Sequence, residues 1–317
     1  MKFNGELSDF LGLVGGGPQG TLLGQLEYLV QSNDSADCIC PDDRYKYIDD
    51  LSILQLVCLS GLLTEYNFHD HVASDIGIGQ TFLPANHFSM QDNLNTISTW
   101  TTDNMMRLNP VKSNYMIISR STEDFATRLS VNNDLIDRVG ASKIIGVWIE
   151  DNLSWSRNCK EICVKAYSRL SLLTKLKYVG VKTEDLIDIY VLYIRSITEY
   201  CSIAFHSSLT NEQTNKLERI QRTCLKVILG VMYIDYDSAL EMTGLQTLFK
   251  RREKWCLDFS IKCVKHIRNS RLFPFNTEQT QNVRKREMFQ VNFAKTSAYK
   301  KSTIPYCQRL LNKHVTK

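Results

Sequence analysis

No apolar run in this 317-residue chain approaches the length of a membrane span, which takes about 20 consecutive apolar residues. The first residues are polar and then glycine-rich, without the basic-then-apolar order of a secretory leader. These two absences lead to the expectation of an intracellular chain, in cytoplasm or nucleus, with no membrane partner. The ten cysteines contain no Cys-x-x-Cys pair and are spread among apolar, helix-like positions, so they read as reduced, buried thiols rather than a disulfide framework. Cys159 and Cys163 stand one helical turn apart, but no second pair at ligand spacing completes a zinc site with them. His69 and His71 lie in a polar, glycine-containing stretch and read as loop residues. The glycine run at Gly15-Gly16-Gly17 is not followed by Gly-Lys-Ser/Thr, so it is not the phosphate loop of a P-loop nucleotidase. Internal repeats and low-complexity segments are also absent.

What is present is an ordinary globular composition, 43% hydrophobic and 23% charged, with enough chain for more than one domain. The formal charge of +4 conceals an asymmetry. Residues 1–215 hold 17 Lys and Arg against 26 Asp and Glu, whereas residues 216–317 hold 21 against 8, a local balance of +13. The densest clusters are Lys250-Arg251-Arg252 with Lys254, and Arg284-Lys285-Arg286. A single cluster of this kind reads first as a solvated helix face; together, over a hundred residues, they also suit a surface that follows a phosphate backbone.

Hydrophobic periodicity changes along the chain. Arg44 to Ile48 and Leu51 to Val57 are β-rich runs on either side of Asp49-Asp50, which predicts a hairpin with the acidic pair at its tip. Leu59 to Tyr66 reads as helix, and Asn67 to Phe88 as an irregular insertion. Leu94, Ile97 and Trp100 mark one face of a helix, and Leu129 to Ile136 suggests a second hairpin turning at Asn132-Asn133. From Ser156 onward the pattern is helical. The predicted core stripes are Ile162, Ala166, Leu170, Leu173 and Leu176; Leu186, Ile189, Tyr190, Tyr193 and Ile197; and Leu217, Ile220, Cys224, Leu225 and Ile228. Thr210 with Gln213 forms a predicted capping box, and Gly230 stands at the place of a C-terminal cap. Ser238 with Glu241 repeats the capping pattern. Leu248, Trp255, Phe259, Cys263 and Ile267 predict a further amphipathic helix with a basic outer face.

Two adjacent carboxylates at a strand-to-strand turn repel each other unless a cation sits between or beside them. A magnesium pair carrying a nucleotide triphosphate would supply that charge. The tetrapeptide Tyr47-Ile48-Asp49-Asp50 follows Pro18-Gln19-Gly20 and an apolar helix-like segment, Thr21 to Leu29. In that order the two motifs resemble the reverse transcriptases of non-LTR retrotransposons. The likeness continues through Trp100 to Ile118, which resembles the helix, turn and strand carrying a lysine near the leaving pyrophosphate, with Lys112 in that place. Ile144 to Trp155 is similar to the Leu-Gly-Val segment with its Asp-x-Leu-x-Trp ending. Tyr193 to Tyr200 and Leu217 to Arg222 are similar to helices that follow. Gln25 stands where relatives often carry proline.

This resemblance implies an α+β chain with a partial polymerase palm, an antiparallel sheet with helices, over 1–155. A helical, thumb-like region would cover 156–230 and a basic helical region 231–317. It implies Asp49 and Asp50 as ligands of Mg2+, with Mn2+ as the alternative ion, and Lys112 as proton donor or charge stabiliser. Gly17, Pro18, Gln19, Gly20 and Tyr47 would form the nucleotide and template side. RNA template and DNA primer are the implied partners, with Lys250, Arg251, Arg252 and Lys254 on the nucleic-acid backbone. The family uses a third carboxylate upstream of the Pro-Gln-Gly loop. The one aspartate ahead of that loop here is Asp9, which lies too close to it, so a truncated and inactive polymerase is expected. The alternatives are a non-catalytic nucleic-acid-binding remnant and a helical interaction protein.

Overall fold

The computed structural model describes residues 2–3, 6–7, 44–47, 50–53, 90–118, 128–276 and 287–315. For the strands ahead of Leu51 it describes the backbone alone. The chain is mixed α and β, with small two-stranded sheets and many helices, in keeping with the expected α+β class. It divides into two compact units. The first holds the described residues up to Asn114 and 128–137, and the second holds 115–118 and everything described from Arg138 onward.

In the first unit, β1 (Lys2–Phe3) pairs antiparallel with β2 (Glu6–Leu7), and β3 (Arg44–Tyr47) with β4 (Asp50–Ile53). Helix α1 (Met90–Asp103) buries Ile97, Ser98 and Thr101. The hairpin of β5 (Ser130–Val131) and β6 (Asp134–Leu135) turns at Asn132 and Asn133, as the sequence predicts. Both turn residues have positive φ, 52° and 70°. That is the requirement of a type I′ turn, and Asn tolerates it because its short amide causes little clash. Gln91 of α1 holds this hairpin by accepting from Ser130 N and donating to Ser130 O, at 2.9 and 2.8 Å.

The second unit begins with the hairpin of β7 (Ala141–Ile144) and β8 (Val147–Glu150). Its turn residues, Ile145 and Gly146, again have positive φ. Glycine is required at the second position. Besides φ of +81°, an added Cβ would come within 3.3 Å of the Tyr200 ring, whose hydroxyl donates to Ile145 O at 2.9 Å. The hairpin is fixed to the first long helix, α2 (Ser156–Tyr178), by Asn158 Oδ1 accepting from Trp148 N and by the Arg157 guanidinium over the Trp148 ring.

Helix α2 packs along α6 (Asn211–Leu229), with their starting ends together: Gln213 reaches Ser156, and the Cys159 thiol donates to Gln213 O. Between them run α3 (Thr183–Ile189), a π-helical stretch Tyr190–Arg195, and the short α4 (Ser196–Glu199) and α5 (Ser202–Phe205). Ile162, Ala166 and Leu173 of α2, and Leu217, Ile220, Cys224, Leu225 and Ile228 of α6, are buried together. Each leucine or isoleucine among them contributes roughly 1.5–3 kcal/mol of apolar burial. The middle stripe differs from expectation. Leu186, Tyr190, Ile194 and Thr198 are buried, whereas Tyr193 is exposed beneath the Arg169 guanidinium. A spacing of four drifts around an α-helix, but the wider π turn keeps it on one face.

Helix α7 (Tyr236–Thr243) follows, then α8 (Leu248–Lys265), α9 (Ser297–Lys301) and α10 (Thr303–Val315). The capping box at Thr210 and Gln213 forms in full, and Gly230 caps the end of α6. At α7 the cap is Asp235, which accepts from Ser238 N at 2.9 Å. Ser238 therefore lies inside the helix rather than opening it. The side chains of α8 and α10 make a second core around Cys256, Cys263, Phe273, Phe289, Cys307 and Leu311.

Candidate nucleic-acid interface

Tyr47 pairs with Asp50 across the hairpin of β3 and β4, the last pair of a four-residue ladder. The predicted hairpin therefore exists, and Asp50 is the first residue of its second strand. Asp49, the loop residues Gly17, Pro18, Gln19 and Gly20, the predicted helix at 59–66, the insertion at 67–88 and His69 and His71 lie outside the described residues, as do the side chains of Tyr47 and Asp50. Among the described residues, no three His, Cys, Asp or Glu side chains come together to hold a metal.

Lys112 ends a tight turn that starts at Asn109. Asn109 Oδ1 accepts from Val111 N at 3.0 Å and Lys112 N at 3.3 Å, and its carbonyl accepts from Ser113 N and Oγ. This is the local side-chain-to-backbone bonding that makes Asn a turn residue. It leaves the Lys112 side chain exposed.

The basic cluster at the start of α8 does not act as one surface. Thr247 Oγ1 caps the helix through Lys250 N, and Glu218 of α6 accepts from Leu248 N at 3.0 Å and Phe249 N at 3.3 Å. A carboxylate on these first N–H groups satisfies orphan donors and complements the helix dipole. Glu218 is held in turn by the Tyr236 hydroxyl, and Tyr236 by Gln221. Gln221 is wholly buried, accepting from the Tyr190 hydroxyl at 2.6 Å and donating to Gln246 O at 3.0 Å. This polar chain sets the rotation of α8 about its axis.

Arg252, expected on the nucleic-acid backbone, points inward and is 0% exposed. Its Nε donates to His206 Nδ1 at 3.5 Å, while Nη1 and Nη2 are buried and unpaired among the described residues. Burial pulls its pKa down, and Glu218 and Glu199 oppose that pull. A side chain in this position cannot touch a phosphate outside. Arg251 is half-buried and committed to Glu199, with a two-pronged contact whose Nη2 to Oε2 arm is 3.0 Å. The hydrogen bond to that carboxylate raises its pKa. Arg195 approaches the same glutamate at 3.8 Å. Its own pKa is lowered, mainly by burial and then by Arg251. Of the four expected contacts, Lys250 and Lys254 remain exposed.

His206 sits with its ring 5.0 Å from Phe249 and 5.7 Å from Tyr306, centroid to centroid. Burial, followed by the Arg252 charge, pushes its pKa down to about 4. Accepting at Nδ1 leaves the proton on Nε2, which faces the Tyr306 hydroxyl at 3.5 Å, and that hydroxyl donates to Glu253 Oε1 at 3.3 Å. Sequence inspection missed His206 and Tyr306 because their partners lie as far as a hundred residues away in the chain.

The exposed basic residues of α8 are Lys250, Lys254, Lys262 and Lys265. The last two had a legible signal: they continue the helical face of the first two. Trp255, predicted as core, is 43% exposed. Among the described residues no helix is long and apolar enough to cross a membrane. No protein family, curated protein or solved structure matches the chain.

Proposed function

We propose that this chain is a nucleic-acid-handling part of a reverse transcriptase of the non-LTR retrotransposon type, with a partial palm followed by a helical thumb. The observation that carries the reading is the antiparallel hairpin of Arg44–Tyr47 and Asp50–Ile53, which pairs Tyr47 with Asp50 at the Tyr-Ile-Asp-Asp sequence. Two carboxylates adjacent in sequence at such a hairpin could together hold the metal pair that two-metal phosphoryl transfer uses. In that reaction a primer 3′-hydroxyl attacks the α-phosphate of the incoming nucleotide. Magnesium, when bound, would stabilise the attacking and leaving oxygens. Asp49 would be the principal ligand from this chain and Asp50 its weaker neighbour, Lys112 would meet the charge on the leaving pyrophosphate, and Gly17 to Gly20 would line the template side.

Asp49 and Asp50 are two of the three carboxylates the reaction uses. A geometric error of about 1 Å at such a site costs on the order of 100-fold in rate. The 317-residue chain alone is therefore expected to bind an RNA template with a DNA primer, and not to extend it with Mg2+ or Mn2+. Extension is expected only when a polypeptide carrying the upstream palm strand is added, and it should then vanish in Asp49→Asn. Extension by the chain alone, abolished by Asp49→Asn, would show that another residue, Asp9 being the nearest, fills the third position. Absence of extension with the palm strand supplied would overturn the polymerase reading.

A second reading, a non-catalytic nucleic-acid-binding chain, is favoured by the exposed lysines of α8. It predicts binding that weakens steeply with salt and does not change in Asp49→Asn. A chain that binds no nucleic acid at low salt would be a helical interaction protein instead.

A further inference from the structure

Helix α8 presents an outer face that differs from the cluster visible in sequence. Lys250, Lys254, Lys262 and Lys265 are all exposed. At 3.6 residues per turn they fall within about 120° of the helix circumference and span about 22 Å. None of the four is ion-paired with a carboxylate among the described residues. Asp258 is the acidic residue on this face, and it is half-buried. Trp255 lies at the edge of the lysine face, one turn after Arg251 and two turns before Lys262, with 43% of its surface open.

An exposed indole beside a row of free ammonium groups has a specific use. Lysines follow a phosphate backbone without reading sequence, and an aromatic face stacks on any base that is not already stacked in a duplex. The inward turn of Arg252 and the commitment of Arg251 to Glu199 remove the arginines that would otherwise dominate such contacts. We propose that the outer face of α8 is a single-stranded nucleic-acid site, with Lys250, Lys254, Lys262 and Lys265 on the backbone and Trp255 stacked on a base. This rests on the nucleic-acid reading above and gives it a location and a strand state. The chemistry favours single strands over an acidic protein surface because a flat indole beside cations gains from base stacking, which carboxylates do not offer.

The test uses the full chain with fluorescein-labelled oligo(dT) of twenty nucleotides, the matching duplex, and poly-glutamate. Replacing the four lysines by Gln is expected to weaken oligo(dT) binding more than 100-fold at low salt. The slope of log affinity against log salt should fall by about 3, four phosphate contacts at about 0.7 each. Lys160→Gln with Lys165→Gln, a charge change on the exposed side of α2, should change affinity less than threefold. Trp255→Phe should bind, yet lose most of the tryptophan quenching seen on oligo(dT) addition. Trp255→Ala should bind about 10-fold more weakly. The melting temperatures of the lysine variants are expected to match that of the unmodified chain, because those side chains are exposed, whereas Trp255→Ala, which loses a partly covered indole, is compared at a temperature well below its own melting point.

Equal losses from the α2 and α8 changes would overturn the site while leaving nucleic-acid binding intact. Duplex binding as tight as single-strand binding, without quenching, would overturn the stacking role. Poly-glutamate competing as well as oligo(dT) would transfer the face to an acidic protein partner. No binding of oligo(dT) by the unmodified chain would overturn both this site and the nucleic-acid reading on which it rests.

Discussion

Helices α6 and α8 are nearly equal in length, 19 and 18 residues, and both are amphipathic, yet they obey the sequence pattern differently. In α6 every residue of the apolar stripe, Leu217, Ile220, Cys224, Leu225 and Ile228, is buried. In α8 the buried line is Leu248, Arg252, Cys256, Ser260 and Cys263, while Trp255 faces partly outward. The apolar face of α6 is large enough to dictate its own rotation. The rotation of α8 is decided at its first turn, where Glu218, held by the chain of Tyr236, Gln221 and Tyr190, receives the N–H groups of Leu248 and Phe249. A fixed entry and a short segment from Gly244 to Thr247 leave Arg252 no outward option, and its aliphatic stem packs where a leucine would serve.

The largest expected effect contrasts the two cores. Leu217→Ala, at a position with no exposed surface, should lower stability by about 2–5 kcal/mol, read as a shift in the urea midpoint. Phe259→Ala, on the face of α8 that sequence alone would place in the core, should cost clearly less, because Phe259 is half-buried. Equal costs would mean that α8 is packed as tightly around Phe259 as α6 is around Leu217.

Next in size is the acid limb of stability. Unfolded, His206 takes up a proton near its ordinary pKa of 6.5; folded, it resists until about 4. The unfolded chain binds more protons between those values. Stability is therefore unaffected by this group above pH 6.5 and falls as pH drops from 6.5 towards 4, by roughly 3 kcal/mol at the acid end. Arg252→Met should shrink this limb by removing the neighbouring charge. At pH 7 it should leave stability unchanged or raise it by about 1–3 kcal/mol, since a buried guanidinium whose two terminal nitrogens lack hydrogen-bond partners among the described residues is replaced by an apolar chain of similar length. A loss of several kcal/mol would show that Arg252 is paired through groups outside the described residues. The pH dependence of the urea midpoint in both proteins measures the two effects together.

The smallest effect separates two helix starts. Thr210→Ala removes the N-cap of α6 and should cost about 1 kcal/mol, as should Asp235→Ala at α7. Ser238→Ala should cost only a few tenths of that, because Ser238 N is held by Asp235 whatever side chain Ser238 carries. A larger loss from Ser238 than from Asp235 would restore the capping box that the sequence pattern suggested.

Local chemistry made much of this molecule legible. The Asn132-Asn133 turn and the Tyr47–Asp50 hairpin follow from φ preference and β-rich flanks. The α6 stripe with its capping box follows from 3.6-residue periodicity, and the α+β class from the change of period along the chain. The candidate interface was legible only in its charge. Summed charge marks a region but not a direction, so Lys250, Arg251, Arg252 and Lys254 looked alike although two are free and two are engaged within the protein.

By itself the sequence determined the two ends of α6 at Thr210 and Gly230, the turn at Asn132-Asn133, which third of the chain is basic, and which motifs stand next to each other, because these depend on neighbours within a few residues. Tertiary structure alone decided that Tyr193 faces out over a π turn, that Glu199 occupies Arg251, that His206 and Arg252 share a buried bond, and that Trp255 opens beside the lysines of α8. Those outcomes rest on contacts between residues far apart in the chain, whose energies are fixed by how the helices are rotated when they pack.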